Sequence, residues 1–245
     1  MSAPTATAPS APLALADFEA LRKLDACTLA NAIEAFAGRL RNEGFMDSSV
    51  RALFPHFPPM LGYAATVTIR GSAPPTADSR YPDRTDWWDY ILSLPAPRVV
   101  VISDSSSRPG LGSLVGAVHM NILRALDCVG VVTNGSVRDL PAASEAGFHY
   151  FAANPSVSHA YVHIVEFGQP VEVGGLAIGS GDLLHGDLHG VQSVPLAIAG
   201  DIAPVAARIL ARKRALIELI HSADFTLEKL RAAVAQDELS DSKAR

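Results

Sequence analysis

Two periods of apolar residues divide this chain. In the first half, helical spacing and short apolar runs take turns. Asp17 is placed to cap a short helix through Leu24, and Asp25 or Thr28 a second through Ala37, with Leu29, Ile33 and Phe36 on one face. Residues 38–60 read as irregular, broken by Pro55, Pro58 and Pro59. Tyr63 to Arg70 alternates as a strand, Ala73 to Pro82 reads as a loop, and Trp87 to Leu94 as a helix. Val99 to Ile102 is a short buried strand closing in Ser103-Asp104, and a polar loop follows from Ser105 to Ser113. Helical spacing from Leu114 to Leu126 leads into a strand, Val129 to Thr133, after which Asn134-Gly135 is expected to bend the chain out of the sheet. Pro141 suits the first turn of the next helix. Strand, loop, helix, strand, loop, helix in this order implies parallel pairing with right-handed crossovers.

The second half changes character. Phe148 to Ala152, Tyr161 to Phe167, Val171 to Val173, Leu183-Leu184 and Val191 to Val194 are short strands between Gly-containing turns, a mainly β segment of mixed or antiparallel pairing. Ile202 to Ser222 and Thr226 to Val234 close the chain as helices with apolar faces. The class expected is α/β, with a parallel-strand unit around a Gly loop, a mainly β second half and helices at both ends. Residues 1–16 are rich in Ala, Pro, Ser and Thr without a charged side chain and predict a disordered tail. Residues 17–222 are expected to form one α/β domain, and 223–245 a C-terminal helix with a loose end.

Composition narrows the partners. Apolar residues make up 49% of 245 positions and the net charge is −5, an ordinary soluble mixture that gives no reason to expect nucleic acid or an anionic membrane surface. No secretory leader and no apolar run of membrane-spanning length stands out, which places the expected location in the cytoplasm. Cys27 and Cys128 are the only cysteines, and their spacing forms no metal-binding cluster.

The candidate chemistry lies at the ends of the two central strands. Arg138 offers a bidentate fork for a carboxylate, and Asp139 beside it is a hard oxygen ligand for a divalent cation. Open α/β sheets bind ligands at this edge, although an ordinary surface ion pair would read the same. Gly110, Gly112 and Gly116 precede a helix, so backbone N–H groups there are able to converge on an anion. The loop matches neither a Walker motif nor the dinucleotide fingerprint. Asp104 ends a strand at the same edge and reads equally as a turn cap or a site residue. Asp182, His185, Asp187 and His189 crowd the segment Gly181 to Gly190, but a hairpin would alternate them between faces, which favours a structural role. His159 and His163 lack the Glu of a zincin motif, and no Gly-x-Ser-x-Gly elbow is present.

Taken together, Gly110-Leu-Gly-Ser-Leu-Val-Gly116, Gly130-Val-Val-Thr-Asn-Gly-Ser-Val-Arg-Asp139 and Gly181-Asp-Leu-Leu-His-Gly-Asp-Leu-His-Gly190 resemble one family. It is the family of 4-hydroxy-4-methyl-2-oxoglutarate aldolase and the regulator of ribonuclease activity A, and the likeness spans roughly residues 20–210. The resemblance implies an α-β-β-α sandwich assembled as a homotrimer or homohexamer, with sites at subunit interfaces. It also implies cleavage of 4-hydroxy-2-oxo acids or decarboxylation of oxaloacetate with Mg²⁺ or Mn²⁺. By position, Arg138 would bind the 2-oxo acid and Asp139 the metal, both as catalytic residues. Gly112, Ser113, Leu114, Val115 and Gly116 would hold the substrate carboxylate. Two departures stand out. Ala117 and Ala142 occupy positions where the family's aldolases carry acidic side chains, with His119 and Glu145 nearby as substitutes. A non-catalytic binding protein on the same scaffold is therefore the alternative, and an enzyme using His119, His185 or His189 as acid–base groups a third.

Overall fold

The computed structural model describes residues 12–75 and 84–243. The proposed tail therefore lies largely outside the described residues, as do most of the loop expected over Ala73 to Pro82 and the last two residues.

The chain opens with α1 (Leu15–Arg22) and α2 (Ala26–Glu34). Asp17 stands inside the first turn of α1, not at its cap, because the helix starts two residues earlier behind Ala14. Asp25 does cap α2: its side chain accepts the Thr28 amide at 2.8 Å and the Thr28 hydroxyl at 2.7 Å. The irregular stretch that follows holds only the two-residue β1 (Arg51–Ala52). Then come β2 (Met60–Arg70), α3 (Arg84–Leu92), β3 (Arg98–Asp104), α4 (Ala117–Ala125), β4 (Cys128–Val137), α5 (Leu140–Glu145) and β5 (His149–Pro155). The second half adds β6 (His163–Phe167), β7 (Val171–Val173), β8 (Leu176–Ile178), β9 (Leu183–Asp187) and β10 (Gly190–Val194). A 3-10 turn leads into α6 (Ala199–His221), and α7 (Leu227–Lys243) follows.

Eight strands form one mixed sheet in the order β1-β5-β4-β3-β2-β9-β10, with β6 also paired to β2. The pairs β2–β3, β3–β4 and β4–β5 are parallel, as the alternating strands and helices imply, while β1, β6, β9 and β10 join antiparallel. β2 is buried along nearly its whole length because both of its faces are covered. Ala65, Val67 and Ile69 pack with Trp87 and Ile91 of α3, and Leu61 and Tyr63 with α1, α2 and α6. On the opposite face, Met60 and Ala64 meet Val171, Val173, Leu176 and Ile178 of the β7–β8 hairpin. The mixed α/β class and the helices at both ends are thus present.

The expected exit at Asn134-Gly135 does not occur, and β4 continues to Val137. The Asn134 side chain takes over the ladder: its Oδ1 accepts the Asp104 amide at 2.7 Å and its Nδ2 donates to the Asp104 carbonyl at 3.3 Å. Gly135 donates to Thr133 Oγ1 at 2.9 Å, and the pairing with β5 shifts register between Thr133 and Ser136. The Asn-Gly pair makes a bulge inside the strand instead of a turn at its end, and this bulge aims the following residues.

At the other end of the sheet, buried Arg98 donates to the carbonyls of Leu94 at 2.9 and 2.6 Å and of Leu126 at 2.8 Å. It satisfies orphan acceptors behind α3 and α4 and ties both helices to β3.

Candidate functional site

The site forms where the Gly loop and the end of β4 meet. Asp139 adopts the left-handed backbone conformation, φ +57°, directly before α5, and Pro141 sits in the first turn as its sequence suggests. The Asp139 side chain does not cap α5. It reaches instead to α4, where Oδ2 accepts the Ala117 amide at 2.7 Å, and Arg138 Nε lies 3.5 Å from the same oxygen. Gly116 permits this approach: a Cβ there would stand 2.7 Å from Asp139 Oδ2 and 3.1 Å from Arg138 Nε. The Arg138 amide donates to the Val115 carbonyl at 3.3 Å, so loop and pair are also joined through the backbone. The pair is therefore more than a surface contact. It is built into the start of α4, where the helix dipole favours a carboxylate.

Asp139 Oδ1 has no hydrogen-bond partner among the described residues, and the side chain is 37% exposed. Among the described residues no group of three His, Cys, Asp or Glu side chains converges on a cation position. A site built on one carboxylate with water completing the shell fits this arrangement, and Mg²⁺ tolerates such a shell.

The loop itself is organised from below by Asp104. This buried carboxylate accepts the Ser106 amide at 3.0 Å and the Gly110 amide at 2.8 Å. Of its two readings, the cap is the one the geometry displays. Ser113 bridges the next turn, its hydroxyl donating to the Val115 carbonyl at 2.9 Å and lying 3.2 Å from the Val115 amide. The Val115 N–H is thereby engaged, while the amides of Leu114 and Gly116 have no acceptor among the described residues. Gly112 lies under the 155–162 segment, where a Cβ would come within 2.5 Å of the His159 carbonyl.

His119 Nδ1 lies 3.0 Å from the Leu114 carbonyl and braces the loop. Ala142 is half-buried on the core-facing side of α5, and Glu145 is exposed at the end of that helix. Asp182, His185, Asp187 and His189 do not converge. Asp182 holds the Gly179 amide at 2.7 Å, His185 Nε2 lies 2.9 Å from the Leu24 carbonyl, and Asp187 accepts the Ala26 amide at 2.8 Å and the His189 amide at 2.8 Å. This polar knot fastens the α1–α2 junction to β9. Burial lowers the His185 pKa, only partly offset by the Leu24 carbonyl and by Asp187 and Asp25, so its ring is neutral.

Sequence reasoning missed two contributors. Asn134 looked like a turn residue, and its only signal was an Asn-Gly pair inside an otherwise apolar strand. Tyr150 was legible only as part of the Phe148–Ala152 strand; its buried hydroxyl has no hydrogen-bond partner among the described residues, and burial, with the Asp139 charge adding to it, raises its pKa.

Fold and site together define an α/β protein with an Arg-Asp pair set against a Gly-rich loop. The chain belongs to the RraA-like family (Aldolase/RraA), whose model matches residues 26–192. It is 27% identical over 84 residues to a putative 4-hydroxy-4-methyl-2-oxoglutarate aldolase of Halalkalibacterium halodurans, a stretch covering 34% of this chain and 40% of that protein. An uncharacterized protein from Pseudomonas syringae pv. tomato superposes with a TM-score of 0.72 at 22% identity, covering 94% of this chain and 99% of that one. Streptomyces coelicolor RraAS2, described as an unusual member of the RNase ES inhibitor RraA protein family, superposes with a TM-score of 0.65 at 20% identity, covering 84% of this chain and 98% of that one. Both structural likenesses show the fold. No helix among the described residues is long and apolar enough to cross a membrane.

Proposed function

We propose that this protein is a divalent-metal-dependent carbon–carbon lyase acting on a small 2-oxo acid such as oxaloacetate or 4-hydroxy-4-methyl-2-oxoglutarate. The observation that carries the reading is the junction of Arg138 and Asp139 with the 112–116 loop: a guanidinium, a carboxylate with one oxygen to spare, and two unengaged amides around Gly116. Asp139 would hold Mg²⁺ or Mn²⁺, which when bound supplies a Lewis acid for the 2-oxo group.

The chain's own groups do the rest. The Leu114 and Gly116 amides bind the substrate carboxylate, and Arg138 orients the 2-oxo acid by its bidentate fork. As the carbon–carbon bond breaks, its electron pair moves onto the 2-oxo oxygen to give the pyruvate enolate, and Arg138 stabilises that negative charge. Protonation of the enolate carbon from solvent then yields pyruvate. β-Decarboxylation needs no base to remove a substrate proton, whereas retro-aldol cleavage does. Ala117 and Ala142 offer no carboxylate for that task, so decarboxylation is the less demanding chemistry for this chain.

Exposed apolar residues stand on the segments that build the site: Leu111 in the Gly loop, Val118 in the first turn of α4, and Val157 and Tyr161 in the 155–162 segment over Gly112. We read them as the face covered by a second copy in a homotrimer or homohexamer. A second reading, a non-catalytic binding protein, is favoured by the same two alanines. Pyruvate release from either substrate with added Mg²⁺ or Mn²⁺ decides between them. The lyase reading expects release that Arg138→Ala and Asp139→Ala abolish; the binding reading expects none.

A further inference from the structure

A groove of about 460 Å³ opens at the opposite end of the sheet, where β2, β4 and β5 begin and α4 ends. Its floor is apolar, with Phe18, Met60 and Phe148 all buried. Four charged or titratable side chains interrupt it: Glu19, Arg22, Arg124 and His149. Arg22 is neutralised by Glu19 at 2.7 Å. Arg124, exposed at the lip, makes no ion pair or side-chain hydrogen bond with the described residues. The His149 ring lies parallel to Phe151 at 6.1 Å and edge-on to Phe57 at 5.2 Å, and neither of its nitrogens has a hydrogen-bond partner among the described residues.

We infer that this groove is a second ligand site, taking a small carboxylate with a flat apolar body, its carboxylate on Arg124 and its body over Phe18 and Phe148 beside His149. The volume falls within the range of small-molecule pockets, and an apolar lining with a few polar groups is their usual make-up. A cation is disfavoured by Arg124. A ligand without polar atoms would strip water from the guanidinium and the imidazole and return nothing. Burial lowers the His149 pKa to about 4, so at neutral pH the ring adds no second charge and offers one N–H and one lone pair.

The groove is distinct from the Arg138–Asp139 site. The groove's lining shares no residue with that site, and Arg124 stands seven residues, about 10 Å along the axis of α4, from the Asp139-bound Ala117 amide at the start of the helix.

The experiment is calorimetric titration of the full chain with 3-phenylpropionate, with 3-phenylpropionamide as the uncharged control. Saturable binding of the acid is expected, with the amide and Arg124→Gln weaker by about tenfold, as loss of a charged hydrogen bond implies. Arg124→Lys should retain most of the affinity, and Val129→Trp should block the groove. Asp139→Ala should bind the acid like the unaltered protein, which keeps this result independent of the lyase reading. Absence of saturable binding to the folded protein, as when a neighbouring copy fills the groove, overturns the proposal. Equal affinity in Arg124→Gln or Val129→Trp overturns it as well.

Discussion

Asp139 serves two elements with one carboxylate, because its backbone starts α5 while its Oδ2 caps α4. The two roles separate by substitution. Asp139→Asn keeps an oxygen for the Ala117 amide and should cost well under the ~1 kcal/mol typical of losing a cap. Asp139→Ala should cost about that much, read by chemical denaturation. Both remove the charge, so both should reduce pyruvate release by about 100-fold or more under the lyase reading. Activity that survives in the Asn variant would detach the carboxylate from the chemistry. Gly116→Ala probes the same point from the other side. Its methyl would displace the carboxylate and the guanidinium, so activity should fall by about tenfold or more while the melting temperature moves little.

At the scale of elements, the site depends on a latch between β3 and β4. Asn134 fastens the end of β4 to Asp104, and Asp104 in turn holds Gly110, so one chain of hydrogen bonds links the strand that delivers Arg138 to the loop facing it. Asn134→Ala leaves the Asp104 amide without this acceptor and should destabilise by about 1–3 kcal/mol, with a larger loss of substrate affinity than Asp182→Ala at the distant β8–β9 turn. Equal effects on affinity would remove the latch from the account. Much of this was legible in the sequence. The strands ending in Asp104 and leading to Arg138, the Gly loop between them and Pro141 in the next helix were all visible from local pattern and turn chemistry. The path of the chain at Asn134 was not. An Asn-Gly pair signals a turn by its own propensity, and only the neighbouring strand's free Asp104 amide and carbonyl turn the side chain into a rung of the sheet. Likewise, the His and Asp residues between Gly181 and Gly190 could be assigned to structure but not to their partners. The Leu24 and Ala26 backbone groups lie more than 150 positions away in the chain.

Across the whole molecule, half-buried His149 and buried His185 set a pH dependence. His149 is held near pKa 4 and His185 is also lowered, both by burial, whereas the unfolded chain protonates histidine near 6.5. The unfolded state then binds more protons below pH 6.5, so stability is full above that value and declines as pH falls toward about 4. Urea denaturation between pH 7.5 and 4.5 should show this decline, and His149→Phe should flatten it; an unchanged slope would mean that the ring is not protected. The exposed apolar residues Leu111, Val118, Val157 and Tyr161 carry a further prediction at this scale. Val118→Glu should shift the mass in light scattering toward the monomer without lowering the melting temperature of the isolated fold. The central claim is that Arg138, Asp139 and the 112–116 loop form a 2-oxo-acid lyase site. Its most direct measurement is the rate of pyruvate formation from oxaloacetate with saturating Mn²⁺, corrected for the metal-only reaction. The account predicts a rate above that background which disappears in Arg138→Ala and Asp139→Asn, while a rate equal to background in the folded protein, or one unchanged by both substitutions, contradicts it.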